Sequence, residues 1–221
     1  MTDHAAEIRA ASSAADFFRR ARERLNFEVP AGLRDPGVTP KRGDHDVDPV
    51  MKAIAELRPI RPASVLVGVV ERDEPTVLLT QRTAHLSDHA GQIAFPGGKI
   101  EQGETPLVAS LREAHEEIGL DAGLVEPLGY LDLYMTTRGF RIVPVVARLN
   151  PDLSLVLNPS EVENAFEVPL AFVMELANHQ KHSREWEGMT RSYYAIPFEK
   201  HYIWGVTAGI LRNLHERLYR E

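Results

Sequence analysis

The chain has 221 residues, 43% of them hydrophobic and 26% charged, a balance that suits one sizeable soluble domain with extensions, or at most two small ones. Its lack of cysteine excludes disulfides, thiolate metal sites and cysteine nucleophiles. A net charge of −7 argues against nucleic-acid binding through a general basic field, and no apolar run nears the ~20 residues of a membrane span. The opening MTDHAAEIRA lacks a signal-peptide core, so a cytoplasmic protein with no membrane partner is expected.

Residues 1 to about 12 read as a disordered tail. A helix is expected over Ala14 to Leu25, with Ala15, Phe18, Ala21 and Leu25 on one face and Arg19, Arg20, Arg22 and Arg24 on a solvated one. Pro30 to Asp48, rich in Pro, Gly and Asp, reads as loop or linker. Residues 1–48 are therefore taken as an N-terminal extension, partly helical or disordered, and 49–221 as the main domain. Met51 to Leu57 suggests a short helix. Ala63 to Val70 and Thr76 to Gln81 are β-branched runs flanking a turn at 71–75, and so read as a strand pair. A polar loop over Thr83 to Gln92 leads to a short strand at Ile93 to Phe95. Strands are expected at Val125 to Tyr134, Phe140 to Leu149, Leu153 to Leu157 and Arg191 to Pro197, with helices at Leu170 to Leu176 and Thr207 to Arg220. His179 and His182, in NHQKH, suggest a solvated turn. Trp186 and Trp204 read as packing residues before stacking platforms, though either could meet an adenine. Strands flanking an early helix, with a terminal helix to cover the sheet, fit a layered α/β/α domain.

That early helix carries the chemistry. Thr105 can cap it, Pro106 suits its first position, and Gly119 suits its end. Leu107, Leu111, Ala114 and Ile118 share an apolar face, and a helical wheel puts Glu113, Glu116 and Glu117 opposite it. Three carboxylates that close repel one another unless a cation sits among them, and hard divalent ions want such oxygen ligands. An EAHEE string alone also describes a solvated acidic face. The whole spacing decides: Gly98, Glu104, then Arg112-Glu113-Ala114 and Glu116-Glu117-Ile118-Gly119-Leu120, across 23 residues.

This segment resembles the Nudix box at every specified position. The resemblance implies a Nudix hydrolase with an α/β fold, an α/β/α sandwich built on a mixed β-sheet. It implies an enzyme that cleaves a nucleoside diphosphate linked to another group with the help of Mg²⁺ or Mn²⁺. It further implies Glu113, Glu116 and Glu117 as metal ligands, the Gly97 carbonyl as a backbone ligand, and Glu104 as a contributor through a second metal or a salt bridge. Arg112 is expected to orient the carboxylates. The general base is left between a box glutamate and a later carboxylate, with Glu161 the first outside candidate and Glu163 the next. A homodimer is expected from the wider class.

The upstream stretch Leu78 to Lys99 resembles the extended signature of coenzyme A pyrophosphatases, through Leu79, Thr80, Arg82, His89, Gly91, Gln92, Phe95, Pro96, Gly97 and Gly98. Asn158 to Val162, Phe166 to Leu170 and Tyr202 to Ala208 resemble that family's later segments. Ser87 departs from the pattern, standing where some members carry a second basic residue. The implied substrate is coenzyme A or an acyl ester, split into 3′,5′-ADP and 4′-phosphopantetheine. Arg82 can fork onto a phosphate, His89 can donate to one, and backbone N–H groups around Gly91, Gln92, Gly97 and Gly98 can approach it closely. Two alternatives stand beside this: a Nudix hydrolase for ADP-ribose, nucleotide sugars or nucleoside triphosphates, and a non-catalytic nucleotide-binding domain.

Overall fold

The computed structural model describes residues 13–84, 91–186 and 188–220, Trp186 by its backbone alone. The expected tail at 1–12 and the loop residues His85, Ser87 and His89 lie outside them.

Helix α1 spans Ala14–Arg24, and the Ser13 side chain accepts from the Asp16 N–H at its start. Its buried stripe is Phe17, Phe18, Ala21 and then Leu25; Ala15, expected inside, is exposed. The two phenylalanines outweigh the alanine and rotate the helix toward the core. The 30–48 segment is ordered rather than a free linker. It contains strand β1 (Arg42–Gly43) and is followed by helix α2 (Val50–Glu56).

Strands β2 (Arg61–Val70), β3 (Thr76–Arg82), β4 (Ile93–Ala94) and β5 (Gly97–Lys99) lead into helix α3 (Pro106–Ile118). Strands β6 (Val125–Tyr130), β7 (Tyr134–Met135), β8 (Phe140–Leu149) and β9 (Val162–Pro169) follow. The expected strand at 153–157 is extended but joins no ladder; Val156 N–H bonds instead to the Ile118 carbonyl, 2.9 Å away. Helix α4 (Leu170–Met174) is shorter than expected.

The expected turn at NHQKH opens strand β10 (Gln180–Trp186), which pairs with β11 (Met189–Phe198), itself paired to β12 (His201–Trp204). His179 is buried there, with Nε2 2.7 Å from the Val173 carbonyl. Helix α5 spans Val206–Tyr219.

The main sheet runs β1-β7-β8-β2-β3-β4, with β5 on β2, β6 on β8 and β9 on β3. The β2–β8 and β1–β7 pairs are parallel and the rest antiparallel, so the sheet is mixed. Alternation along β2 sorts side chains to two faces: Leu66 and Val70 go to one core, Val67 and Val69 to the other. The first core takes Ala109, Ala114 and Ile118 of α3; the second takes the α1 stripe with Ile210, Leu211, Leu214 and Leu218 of α5. Helices thus cover both faces, which is why β2 and β8 are apolar almost throughout. No helix among the described residues is long and apolar enough to cross a membrane.

The N-terminal segment is fastened to this sandwich by polar groups as well. Buried Arg141 on β8 donates to the carbonyls of Gly32, Asp35 (2.6 Å) and Val38 (3.0 Å). Asp44 accepts from the Thr137 N–H at 2.8 Å and the Tyr134 hydroxyl at 3.1 Å.

Candidate active site

Helix α3 begins and ends as its sequence dictates. Thr105 caps it through the Val108 N–H, Pro106 fills the first position, and Gly119 closes it in the left-handed conformation (φ 65°). Buried Ser64 on β2 anchors its first turn, its hydroxyl lying 2.7 Å from the Pro106 carbonyl and 3.0 Å from that of Val143.

The face α3 turns to the sheet is made of Pro106, Ala109, Ser110, Ala114, Glu117 and Ile118, whereas Leu107 and Leu111 are only partly buried. Small residues let the helix approach closely, and this carries Glu117 inward. The three box glutamates therefore do not share one solvated face. Glu117 is 4% exposed, Glu113 is intermediate, and Glu116 is exposed.

Strand β5 meets them across the gap. Leu66 N–H bonds to the Pro96 carbonyl and Ile100 N–H to that of Pro62, so Gly97, opposite Val65, sits at the position where the ladder makes no bond. Its N–H and C=O therefore turn away from β2, and the N–H donates to Glu117 Oε2 at 3.2 Å. A Cβ at Gly97 would strike the Ser64 carbonyl and the Val65 backbone, and one at Gly98 would overlap the Glu113 carboxylate. Gly98→Ala is therefore expected to displace Glu113 and lower kcat about tenfold or more, since misplacements near 1 Å carry such costs. Melting would shift by only a few degrees; steady-state kinetics beside a thermal melt check both.

Arg112 holds the box together. Its guanidinium meets Glu104 through two contacts (2.8 and 3.1 Å), Glu113 at 3.0 Å, Glu116 at 3.1 Å and the Lys99 carbonyl at 3.1 Å. That forked pair with Arg112 holds Glu104 below the usual carboxylate range. Glu104 thus stands in an ion pair that ties the turn to the helix.

The second acidic segment docks on the end of α3. Asn158 N–H bonds to the Glu117 carbonyl (2.9 Å), and Asn158 Nδ2 donates to Glu161 Oε1 at 3.3 Å. Glu161 is thereby set where its charge acts on both Glu113 and Glu117, while Glu163 is exposed. The sequence shows Asn158 only as the first residue of a stretch resembling the family's later segments, so its positioning role is not legible there.

Burial pushes Glu117 up to about 7, and the Glu113 and Glu161 charges add to that; the Gly97 N–H and Arg82 oppose it. Glu113 is raised too, first by burial. Among the described residues, the cation paired with Glu117 is Arg82, its Nη1 at 3.9 Å. A nearly buried carboxylate, pressed by two others and faced by one guanidinium at that range, is a donor set short of positive charge. A divalent cation fits that deficit. Among the described residues no three histidine, aspartate or glutamate side chains stand close enough together to hold an ion as they are.

The signature upstream folds back onto this site. Arg82 N–H donates to the Gln92 carbonyl (2.9 Å), Gly91 N–H to the Arg82 carbonyl (3.2 Å), and Thr83 N–H to the Glu161 carbonyl (3.1 Å). Thr207, opening α5, donates to the Ile93 carbonyl at 2.9 Å.

A match to the NUDIX domain covers residues 60–187, more than half of the chain. The chain belongs to the Nudix hydrolase family. It is a hydrolase acting on pyrophosphate bonds; the family generally uses divalent metal cations and binds small nucleotide substrates. This Nudix hydrolase is similar to "Uncharacterized Nudix hydrolase NudL" of Escherichia coli O7:K1, 39% identical over 155 residues, covering 70% of this chain and 81% of the relative. The protein of that name in Shigella boydii serotype 18 is 38% identical over the same length and shares. Among solved structures it resembles the MutT protein from Methanosarcina mazei Go1, with TM-score 0.45 and 17% identity, covering 73% of this chain and 94% of that one.

One concavity of the Nudix hydrolase lies away from this site. About 520 Å³ in volume, it sits at the C-terminal ends of α1 and α5, and none of the box residues lines it. Its arginines serve Glu216 (Arg42 at 2.6 Å, Arg220 at 3.4 Å) and a helix-end carbonyl (Arg24 to Arg220, 2.7 Å).

Proposed function

We propose that this Nudix hydrolase splits the diphosphate of coenzyme A or an acyl-coenzyme A, giving 3′,5′-ADP and (acyl-)4′-phosphopantetheine. The observation that carries the reading is where the residues outside the box stand. Arg82, Gly91, Gln92 and Thr207 belong to stretches resembling the coenzyme A pyrophosphatase signature, and they are bonded to one another or to the segment entering Gly97, beside Glu117.

In the proposed reaction water attacks one phosphorus and a phosphoanhydride bond breaks. Glu113, Glu116, Glu117 and the Gly97 carbonyl are the groups proposed to hold Mg²⁺ or Mn²⁺, which when bound neutralises charge on the diphosphate and acidifies water. Glu161, which accepts from Asn158 Nδ2, is the group proposed to take the proton of the attacking water. Arg82, 3.9 Å from Glu117, is the guanidinium proposed to meet a phosphate oxygen, and Arg112 fixes where Glu113 and Glu116 point. His89, outside the described residues, is kept as a phosphate donor on the signature alone.

The test is mass spectrometry of products from coenzyme A, acetyl-coenzyme A, dephospho-coenzyme A, ADP-ribose and a nucleotide sugar, with Mg²⁺ or Mn²⁺. The expected result is 3′,5′-ADP with phosphopantetheine as the dominant products. Cleavage of ADP-ribose with coenzyme A left intact would end the substrate reading and leave the pyrophosphatase.

A further inference from the structure

We infer that a second cleft, about 330 Å³ in volume, is the subsite for the 3′-phosphoadenosine end of the substrate, with Lys200 as its phosphate ligand. This rests on the coenzyme A reading above.

The cleft begins at the catalytic loop. Gln81, Gly91 and Gln92 form one wall, and Gln92 is the residue whose carbonyl takes the Arg82 N–H. The opposite wall is the β11–β12 hairpin, through Lys200, Tyr202 and Trp204. Residues 189–204 fall beyond the matched NUDIX domain, which ends at 187. The shared scaffold supplies the pyrophosphate chemistry, so a wall added to it serves the part of the substrate that differs between enzymes.

The lining has the chemistry of a phosphorylated nucleoside. Tyr202 and Trp204 are two apart on β12 and so share a face. Tyr193 of β11 meets Trp204 edge-on at 5.3 Å, and the Arg184 guanidinium lies 4.9 Å from its ring centre. Tyr202 is 42% exposed. Aromatic faces stack bases whatever their sequence, and glutamine amides can donate and accept along a base edge. Ile93 is the one aliphatic residue of the lining, which suits a base and phosphate better than a long flexible arm.

Lys200 is presented by an unusual turn. Phe198 pairs with His201, so Glu199 and Lys200 make a two-residue hairpin loop. Glu199 has φ 50°, the one non-glycine residue at positive φ among those described. Holding a glutamate there strains the backbone, and such strain is more common at functional sites than elsewhere. Lys200 is exposed, and no carboxylate pairs with it among the described residues.

The experiment compares KM for coenzyme A and dephospho-coenzyme A in wild type, Lys200→Ala and Lys200→Arg. The ratio of KM values, coenzyme A over dephospho-coenzyme A, is expected to rise about tenfold in K200A and to stay within threefold of wild type in K200R. An unchanged ratio in K200A overturns the subsite and leaves the coenzyme A reading standing. Calorimetry with 3′,5′-ADP and AMP separates the remaining case. Should wild type release no 3′,5′-ADP from coenzyme A, that reading falls. A preference for 3′,5′-ADP that K200A abolishes then still supports the subsite, and no preference overturns it as well.

Discussion

Glu117→Gln is expected to lose at least a hundredfold in turnover while the protein stays folded. Glutamine keeps the shape and can still accept the Gly97 N–H, so what disappears is the negative charge that would face the ion and the diphosphate. Groups of that kind commonly carry about 10²–10³ in rate. The same change is expected to stabilise the protein once metal is chelated away. Glu117 sits at about 7 when folded, above the ordinary carboxylate value near 4.5. Below pH 4.5 the side chain is protonated in both states and costs nothing. Between 4.5 and 7 the unfolded chain ionises first, so stability falls as pH rises. Above 7 the full cost remains, on the order of 3 kcal/mol at about 1.4 kcal/mol per pKa unit. In EDTA, E117Q should melt higher than wild type at pH 8 and level with it near pH 4.5. Turnover within tenfold of wild type would remove Glu117 from the catalytic set.

Deleting residues 1–48 is expected to leave no cooperatively folded enzyme. Phe17, Phe18, Leu25, Leu33 and Val47 are all under 9% exposed in the folded chain. At roughly 2 kcal/mol for each buried side chain, their loss is about 10 kcal/mol, the size of a typical domain's entire stability. The deletion also strips buried Arg141 of the three carbonyls it donates to, and Asp44 no longer closes the Thr137 turn. Circular dichroism melts of the truncated and full chains decide it. A cooperative melt within a few degrees of the full chain would make the segment a detachable appendage. Phe17→Ala is the milder probe, at about 3–5 kcal/mol.

The box, its capping residues and the order of the strands around it were legible because each is local. Thr105, Pro106 and Gly119 act within one turn of their own positions. The burial of Glu117 was not legible in the same way. Weighting the wheel by large apolar residues selects Leu107 and Leu111, but a helix lying close on a sheet packs through Ala109, Ser110 and Ala114. The 30–48 segment looked like linker because its order comes from Arg141, more than 100 positions away. Strand β10 was missed because QKHSREW has no apolar alternation; pairing with β11 makes it a strand. The place of Trp204 in a cleft is not legible for a related reason, since that cleft forms only where β12 comes up against Gln81 and Gln92.

Helices α1 and α5 are partners from opposite ends of the folded sequence: Arg20 donates to the Leu218 carbonyl 198 positions away, and its guanidinium lies 4.9 Å from the Tyr219 ring centre. A ribosome working at about 5–20 residues per second finishes that distance in roughly 10–40 s. Over that interval Phe17 and Phe18 have emerged and the leucines that cover them have not been made. Each newborn chain therefore carries a sticky patch through most of its synthesis, and that is the window in which a chaperone with an apolar groove has access to it.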